Sequence, residues 1–519
     1  MIQSMCKKHS LLLLLLAVSL IQILTIPRFY YDGDNYATRA EAINLVNTGQ
    51  LGIPYEDREE LKKLAHVRGQ YFFENDSRNR FFSKYGIGLT LVQLPPVLVE
   101  KMLAPELRLL QRTDSLLLFM NLYHVFFALV SAFYLYMIAA FYTRSEFNRA
   151  AFVLLSIYAT FLWHYLRAPA HEVYQVPLFL ALGFHFLAFL RIMNAPRPAW
   201  GHLAAAMASL FCLILMKSFY FLIVPLLWIF TLAYLPGDEA PRHAAWKLIR
   251  GKHRKQLIAY LVAPTAITLI VLFAVNAFKF GSIFESGYGQ WFNENGAQAD
   301  RFSLSFFLKH FRQYVVQAGN WNLWVHYPMA LIALGGIQRF SRNHRTDTLF
   351  VFSIALVVFV AVCSFSAVGA WCYGPRLLLL VLLLVSLPFL ELLQWIREGW
   401  SVKTAGAAFL CLLILGFSLK MQINVNSLNY FAHQECRAVF HMLEIEEVDR
   451  YFDGAVHRGL VCGDLLDFRS GRSSFFPMDL MAAHMMEDDG ATLLLQTMYT
   501  SGEKNLMQLL GLNYTLVPR

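Results

Sequence analysis

Charge is what this chain has least of. Only 15% of its 519 residues are Asp, Glu, Lys or Arg, and 57% are hydrophobic, with a mean hydropathy of +0.45. Soluble globular proteins carry about 25% charged residues. A water-soluble fold of this length divides into several domains, each with a charged skin, and the composition cannot supply them. A soluble enzyme and a disordered protein are both excluded. The seven cysteines include no C-x-x-C pair and no metal-ligand spacing, which excludes a disulfide-rich module and a zinc ribbon. There is no Walker loop, no G-x-G-x-x-G and no G-x-S-x-G, so neither an ATP-driven pump nor an α/β-hydrolase is indicated. Internal repeats are also missing, as is the pair of Gly/Pro-broken segments that secondary transporters commonly carry.

What the chain has instead is long apolar runs. Stretches able to cross about 30 Å of hydrocarbon fall near 11–26, 115–142, 150–167, 172–192, 257–277, 347–367, 375–395 and 403–421. The run from 203 to 235 is too long for one ordinary span and is interrupted by Lys217, so it reads as two short helices meeting there. The stretch 325–338 is short but bounded by Tyr327-Pro328 and Arg339, and counts as a further span. Residues 86–104 are broken by Pro95-Pro96 and read as a re-entrant or interfacial segment. The expectation is an all-α polytopic membrane protein with about 11 transmembrane helices. Cys212, Cys363 and Cys411 lie inside these runs and read as small core residues.

Loop charge sets the orientation. Lys7 and Lys8 precede the first run, no small-x-small cleavage site follows it, and it reads as an uncleaved helix with its N-terminus in the cytoplasm. With that parity the inner loops hold Arg144 and Arg149; Arg191 and Arg197; Arg339, Arg342 and Arg345; Arg397 and Lys403; and six basic residues between Arg242 and Lys255. The first outer loop, 28–84, balances nine basic residues with nine acidic ones. The net charge of +9 is therefore a topology signal rather than a nucleic-acid signal. The domain reading is a membrane domain over 1–421, with outer loops at 28–84 and 278–324, and a small extracytoplasmic α/β domain over 422–519. Cys436 and Cys462 lie in that last domain, where an oxidising compartment would allow a disulfide. Short loops and a Leu-rich first helix point to a bacterial inner membrane. Asn75-Asp76-Ser77 and Asn513-Tyr514-Thr515 are formal glycosylation sequons.

The chemistry-bearing residues gather on the outer side. Tyr30-Tyr31-Asp32-Gly33-Asp34-Asn35-Tyr36 follows the first helix directly. A carboxylate at the interface, where water is scarce, can act as a base, although Asp34 is equally placed to cap a helix. Ala37, Ala40, Ile43 and Val46 have the spacing of a helix lying along the membrane surface. Asp32-Gly33-Asp34 also spells a D-x-D metal motif, but no nucleotide-binding pattern surrounds it, and no metal or other cofactor is expected.

An aspartate beyond the first membrane helix, then an aromatic, a helix and Thr48-Gly49-Gln50-Leu51-Gly52-Ile53-Pro54, resembles the opening of GT-C-fold glycosyltransferases, among them protein O-mannosyltransferases and lipid A aminoarabinose transferases. Four more segments resemble the family in order. They are Lys84-Tyr85-Gly86-Ile87-Gly88-Leu89 with Leu94-Pro95-Pro96, then Ala170-His171-Glu172, Phe280-Gly281-Ser282 to Ser286-Gly287-Tyr288, and Gly374-Pro375-Arg376-Leu377-Leu378; Lys217 ends a short helix where relatives often carry a cation. Relatives commonly have Asp-Glu where this chain has Asp34-Asn35, and no motif covers the C-terminal region. The resemblance implies transfer of a sugar from a polyprenyl-phosphate carrier to a lipid, protein or glycan hydroxyl at the outer face, usually with inversion. It makes Asp34 the base with Asp32 beside it, assigns Lys84, Arg376 and Lys217 to the carrier phosphate, and leaves His171, Glu172 and Tyr288 to orient the substrate. Read without it, the three cations are interfacial anchors and His171-Glu172 is an ordinary helix start. A lipid or solute transporter and a polysaccharide polymerase or ligase are the competing readings.

Overall fold

The computed structural model describes residues 2–25, 33–57, 72–103, 114–167, 175–194, 200–234, 254–285, 287, 302–316, 323–365, 376–399, 401–419 and 422. Asp32, His171, Glu172, Tyr288, Cys436, Cys462 and the proposed domain over 422–519 (apart from residue 422) lie outside them. Within them the chain is an α-helical membrane protein. Six helices are long and apolar enough to cross a bilayer: Leu122–Tyr142, Val176–Met193, Arg254–Phe280, Arg345–Ser364, Leu379–Glu398 and Val402–Leu419. Ser10–Leu24, Trp200–Met216 and Tyr220–Phe230 are shorter apolar helices. The expected span at 150–167 is two helices, Glu146–Tyr158 and Leu162–Arg167. They part where Thr160 turns its hydroxyl onto the Ser156 carbonyl and the Phe161 amide leaves the helix for the carbonyl of His326. Cys363 is buried as expected, whereas Cys212 is exposed on a helix flank and is not a core residue.

The core is aromatic. Phe189 stacks on Phe350 at 4.3 Å, and Phe186 stacks on the same ring at 5.4 Å. The Tyr134 ring lies where a side chain at position 183 would be, so glycine at Gly183 lets the two helices close.

Two segments after the first membrane helix are packed in ways that their sequence pattern did not indicate. The helix Gly33–Thr48 is enclosed by other elements and does not expose its far side: Ala37 through Asn44 are all buried. Its alanines allow close approach on several sides. One side is covered by a three-stranded antiparallel sheet of β1 (Ile53–Pro54), β2 (Phe72–Asn75) and β3 (Arg80–Ser83), in the order β1-β3-β2, with Phe81 opposite both Ile53 and Glu74. Another is covered by the helix Ile87–Leu103. That second helix also runs unbroken through Pro95 and Pro96. A proline removes the N–H that the carbonyl four residues earlier would receive. For Pro96 that carbonyl is Val92, and it receives the Tyr123 hydroxyl instead, at 2.8 Å. A neighbouring helix thus satisfies the group that would otherwise break this one.

Lys217 divides its apolar run as expected. Trp200–Met216 ends, Lys217 is extended (φ −149°, ψ 104°), and a 3-10 turn Ser218–Ile223 leads into the helix Val224–Tyr234.

Polar groups collect in two separate layers. In one, Arg339 bonds Glu391 and Glu398, His344 bonds Glu391, Arg397 reaches Ser145 and Asn148, and Ser10 donates to Glu146. These are helix ends that loop charge assigns to the inner side. The other layer holds Glu41, Lys84, Lys217 and Lys279.

Candidate active site at a three-lysine cavity

The second layer surrounds a cavity of about 220 Å³. It is built where four chain segments, remote in sequence, touch. β3 ends at Ser83 and the chain turns through Lys84-Tyr85-Gly86 into the helix Ile87–Leu103. That turn presses on the end of Trp200–Met216: a Cβ on Gly86 would meet the Met216 carbonyl oxygen at 2.9 Å, and one on Gly88 the Met216 nitrogen at 2.7 Å. Lys217 therefore emerges next to the Lys84 turn, and both lysines line the cavity. The third segment is the end of the helix Ala263–Phe280, which closes on Gly281 in the left-handed conformation (φ 77°) and contributes Leu272, Val275, Asn276 and Lys279. Beyond it Gly287 lies flat on Lys84, where a Cβ would stand 2.7 Å from the Lys84 carbonyl carbon. The fourth is Leu377, which follows Arg376 in a 3-10 turn. Phe302 and Phe365, joined in a β-bridge, wall another part.

The close glycine contacts carry a direct test. Gly287→Ala and Gly86→Ala each force a methyl group into backbone and are expected to cost about 1–3 kcal/mol. Gly201→Ala, in a helix and with open space around it, is the control that is expected to lose no stability. Thermal unfolding in detergent ranks the three, and equal midpoints would contradict the packing.

Of the expected site residues, the structure brings Lys84 and Lys217 into one cavity and puts Arg376 next in sequence to its wall. Asp34 lies in the first turn of Gly33–Thr48. Two further ion pairs escaped the sequence reading. Lys279 is fully buried and lies 3.1 Å from Glu41, also fully buried. Arg39 bonds Glu100 at 2.5 Å, with both side chains almost wholly covered. Burial raises the Glu100 carboxyl above its usual range, opposed by the Arg39 charge and hydrogen bond. Lys279 had a sequence signal, since an ionisable residue ending an apolar run is a site candidate by default. Glu41 had none, because it sat inside the pattern read as a surface helix. The sequon asparagine Asn75 is tied down here too, its amide donating to the Lys279 carbonyl at 2.9 Å.

Chemically, the cavity combines apolar walls, among them Ile214, Leu272, Val275 and Val362, with the side chains of Lys84, Lys217 and Lys279. Such a site suits a ligand with an anionic head on a hydrocarbon chain. Among the described residues no three His, Cys, Asp or Glu side chains are grouped to hold a metal.

No family model matches the chain, and no curated protein matches it. Among solved structures it is similar to ArnT from Cupriavidus metallidurans bound to undecaprenyl phosphate, at 13% identity and a TM-score of 0.42 over 85% of this chain and 74% of that one. It is also similar to the oligosaccharyltransferase of Archaeoglobus fulgidus in the apo form, at 11% identity and a TM-score of 0.45 over 86% of this chain. AglB of the same organism, in complex with an inhibitory peptide and a dolichol-phosphate, matches at 11% and 0.45 over 87%. The chain spans 60% of the length of the archaeal proteins. At such scores and identities the likeness carries neither substrate nor activity over to this chain.

Proposed function

We propose that this protein is an integral-membrane glycosyltransferase that moves a sugar from a polyprenyl-phosphate carrier to an acceptor hydroxyl at the outer face of a bacterial inner membrane. The observation that supports it best is the convergence on one apolar cavity of Lys84, Lys217, Gly287 and Leu377, four points drawn from separate motifs of the resemblance. In this reading the carrier phosphate sits at the ammonium groups of Lys84 and Lys217, with Arg376 beside them, and the prenyl chain follows the apolar walls. His171, Glu172 and Tyr288 orient sugar or acceptor.

The reaction then needs one base. The acceptor O–H gives its proton to the carboxylate of Asp34 while the oxygen forms a bond to the anomeric carbon. The bond from that carbon to the carrier phosphate breaks, and its electron pair stays on the phosphate oxygen. Attack opposite the leaving group inverts the centre. Charge that grows on the phosphate is stabilised by cations held in a site of low dielectric. Asp34 stands two turns before Glu41, about 10 Å along the helix axis, which separates the base from the phosphate-binding end. Confinement of the cavity's cations to one polar layer favours an enzyme over a transporter, whose ionisable groups must be reached from both sides.

Binding of undecaprenyl phosphate to the purified protein tests this. Lys84→Ala and Lys217→Ala are each expected to remove a charge-assisted contact of about 1.5–3 kcal/mol, weakening binding by about 10- to 100-fold. A double variant that binds the lipid as tightly as the parent would reject the site.

A further inference from the structure

Lys279 lines the same cavity as Lys84 and Lys217, and its ammonium group is engaged by the protein. It donates to Glu41 Oε2 at 3.2 Å, to Ser83 Oγ at 3.2 Å and to the Tyr85 carbonyl at 2.9 Å, and lies 3.1 Å from Glu41 Oε1. Glu41 in turn accepts the Ser83 amide at 2.7 Å, the Ser83 hydroxyl at 2.9 Å and the Thr90 hydroxyl at 2.8 Å. Each ammonium proton and both carboxylate oxygens are used. The partners belong to four elements: the helix that carries Asp34, the end of β3, the helix Ile87–Leu103 and the helix Ala263–Phe280.

The two residues that Lys279 grips besides Glu41 are the immediate neighbours of Lys84 in the chain. Ser83 precedes it and Tyr85 follows it. Holding both neighbours fixes the backbone direction at Lys84, and so where its side chain leaves the turn. The carboxylate on the opposite side of the grip belongs to the Asp34 helix. We infer that Glu41 and Lys279 are positioning residues that lock the base-bearing helix to the Lys84 turn, so that Lys84 acts on the carrier phosphate only while this pair is intact. The inference rests on the glycosyltransferase reading for the identity of the ligand, and on the geometry alone for the grip.

Energetics favour this over a plain stabilising role. A buried ion pair is an indifferent source of stability, because desolvation of both charges offsets their attraction, and apolar residues of similar size fill such a site as well. What the charged pair adds is direction: five hydrogen bonds of defined geometry, aimed at two specific backbone positions and two hydroxyls. A direct role for Lys279 on phosphate would require it to release these partners.

The test is a double-variant cycle read as affinity for undecaprenyl phosphate in detergent-purified full-length protein. If Lys279 acts through Lys84, Lys279→Met weakens binding about tenfold in the parent and leaves it unchanged in a Lys84→Ala background, the non-additivity expected of residues acting as one unit. Glu41→Gln weakens binding to the same extent as Lys279→Met, and combining the two adds nothing. Equal losses from Lys279→Met in both backgrounds would overturn the inference, as would tighter binding in Glu41→Gln, since both mark Lys279 as a direct phosphate ligand. Ser83→Ala keeps the ion pair and removes the two hydrogen bonds of the Ser83 hydroxyl, which gives a milder variant should the charged-pair changes fail to fold. A second arm needs no lipid. The rate at which an amine reagent modifies Lys84, followed by peptide mass spectrometry, is expected to change at least about threefold in Ser83→Ala and Glu41→Gln. An unchanged Lys84 rate overturns the positioning role. Altered labelling with no lipid binding by the parent protein overturns the carrier assignment and keeps the grip.

Discussion

Asp34→Asn is expected to lower turnover by about 10²–10⁴-fold, the usual range for removing a general base, while carrier affinity stays within a few-fold of the parent. Asparagine keeps the shape and much of the hydrogen bonding of aspartate but cannot take a proton from the acceptor hydroxyl. Donor binding is expected to persist because the proposed phosphate ligands are Lys84 and Lys217, and Asp34 lies two helical turns before Glu41, the residue that pairs with Lys279 of the same cavity. The comparison that decides the matter is with Asp32→Asn, two residues earlier, measured in the same membranes at matched expression. Asp32→Asn is expected to be milder if Asp32 only shapes the turn around Gly33. A dead Asp32→Asn beside an active Asp34→Asn would move the base to Asp32. Activity in both would remove the chemical centre of the glycosyltransferase reading.

The largest effect on stability is expected at the second buried pair. Arg39 and Glu100 join the Gly33–Thr48 helix to Ile87–Leu103 through one hydrogen bond at 2.5 Å. Arg39 Nη1 and Glu100 Oε1 are buried with no hydrogen-bond partner among the described residues. The pair is thus incompletely compensated. Arg39→Met, which strands a buried carboxylate, is expected to cost about 3–5 kcal/mol, whereas Arg39→Met with Glu100→Leu is expected to be close to neutral.

The single variant also has a pH signature. Burial alone holds the carboxyl above its usual range, and Arg39 is the group that opposes the shift. Without Arg39 the native state keeps its proton to higher pH than the unfolded chain does. Stability is then greatest below the ordinary carboxylate pKa and falls as pH rises towards the raised native value. The Arg39→Met deficit is therefore larger at pH 8 than at pH 5. Thermal unfolding in detergent at the two pH values measures it, and a deficit independent of pH would show that lost packing, not charge, is what Arg39 contributes.

Several errors of the sequence reading have one cause. Pro95-Pro96 reads as a break because a proline leaves carbonyls bare; the helix continues because Tyr123, on another helix, supplies the missing donor for Val92. Ala37, Ala40 and Ile43 read as one apolar stripe; residues 37–44 are buried all round because the sheet and Ile87–Leu103 cover what the stripe leaves open. Glu41 and Lys279 went unnoticed as a pair because 238 residues separate them, and no periodicity links positions that distant. In each case the deciding partner lies on a different element.

The sequence by itself determined that the chain is a helical membrane protein, where the apolar runs lie, and that Lys217 divides one of them. These follow from the local cost of placing backbone and charge in hydrocarbon, which depends on composition over about 20 residues and on nothing further away. It also singled out Lys84 and Lys217 by their motifs. Only the tertiary structure decided that the two share a cavity, that Gly86 and Gly287 make the approach possible, and that Lys279, read as part of an outer loop, grips the residues on either side of Lys84. The physical reason is range: burial of a run is a property of the run, whereas which charges meet depends on how separate helices pack, and close packing is satisfied only between elements.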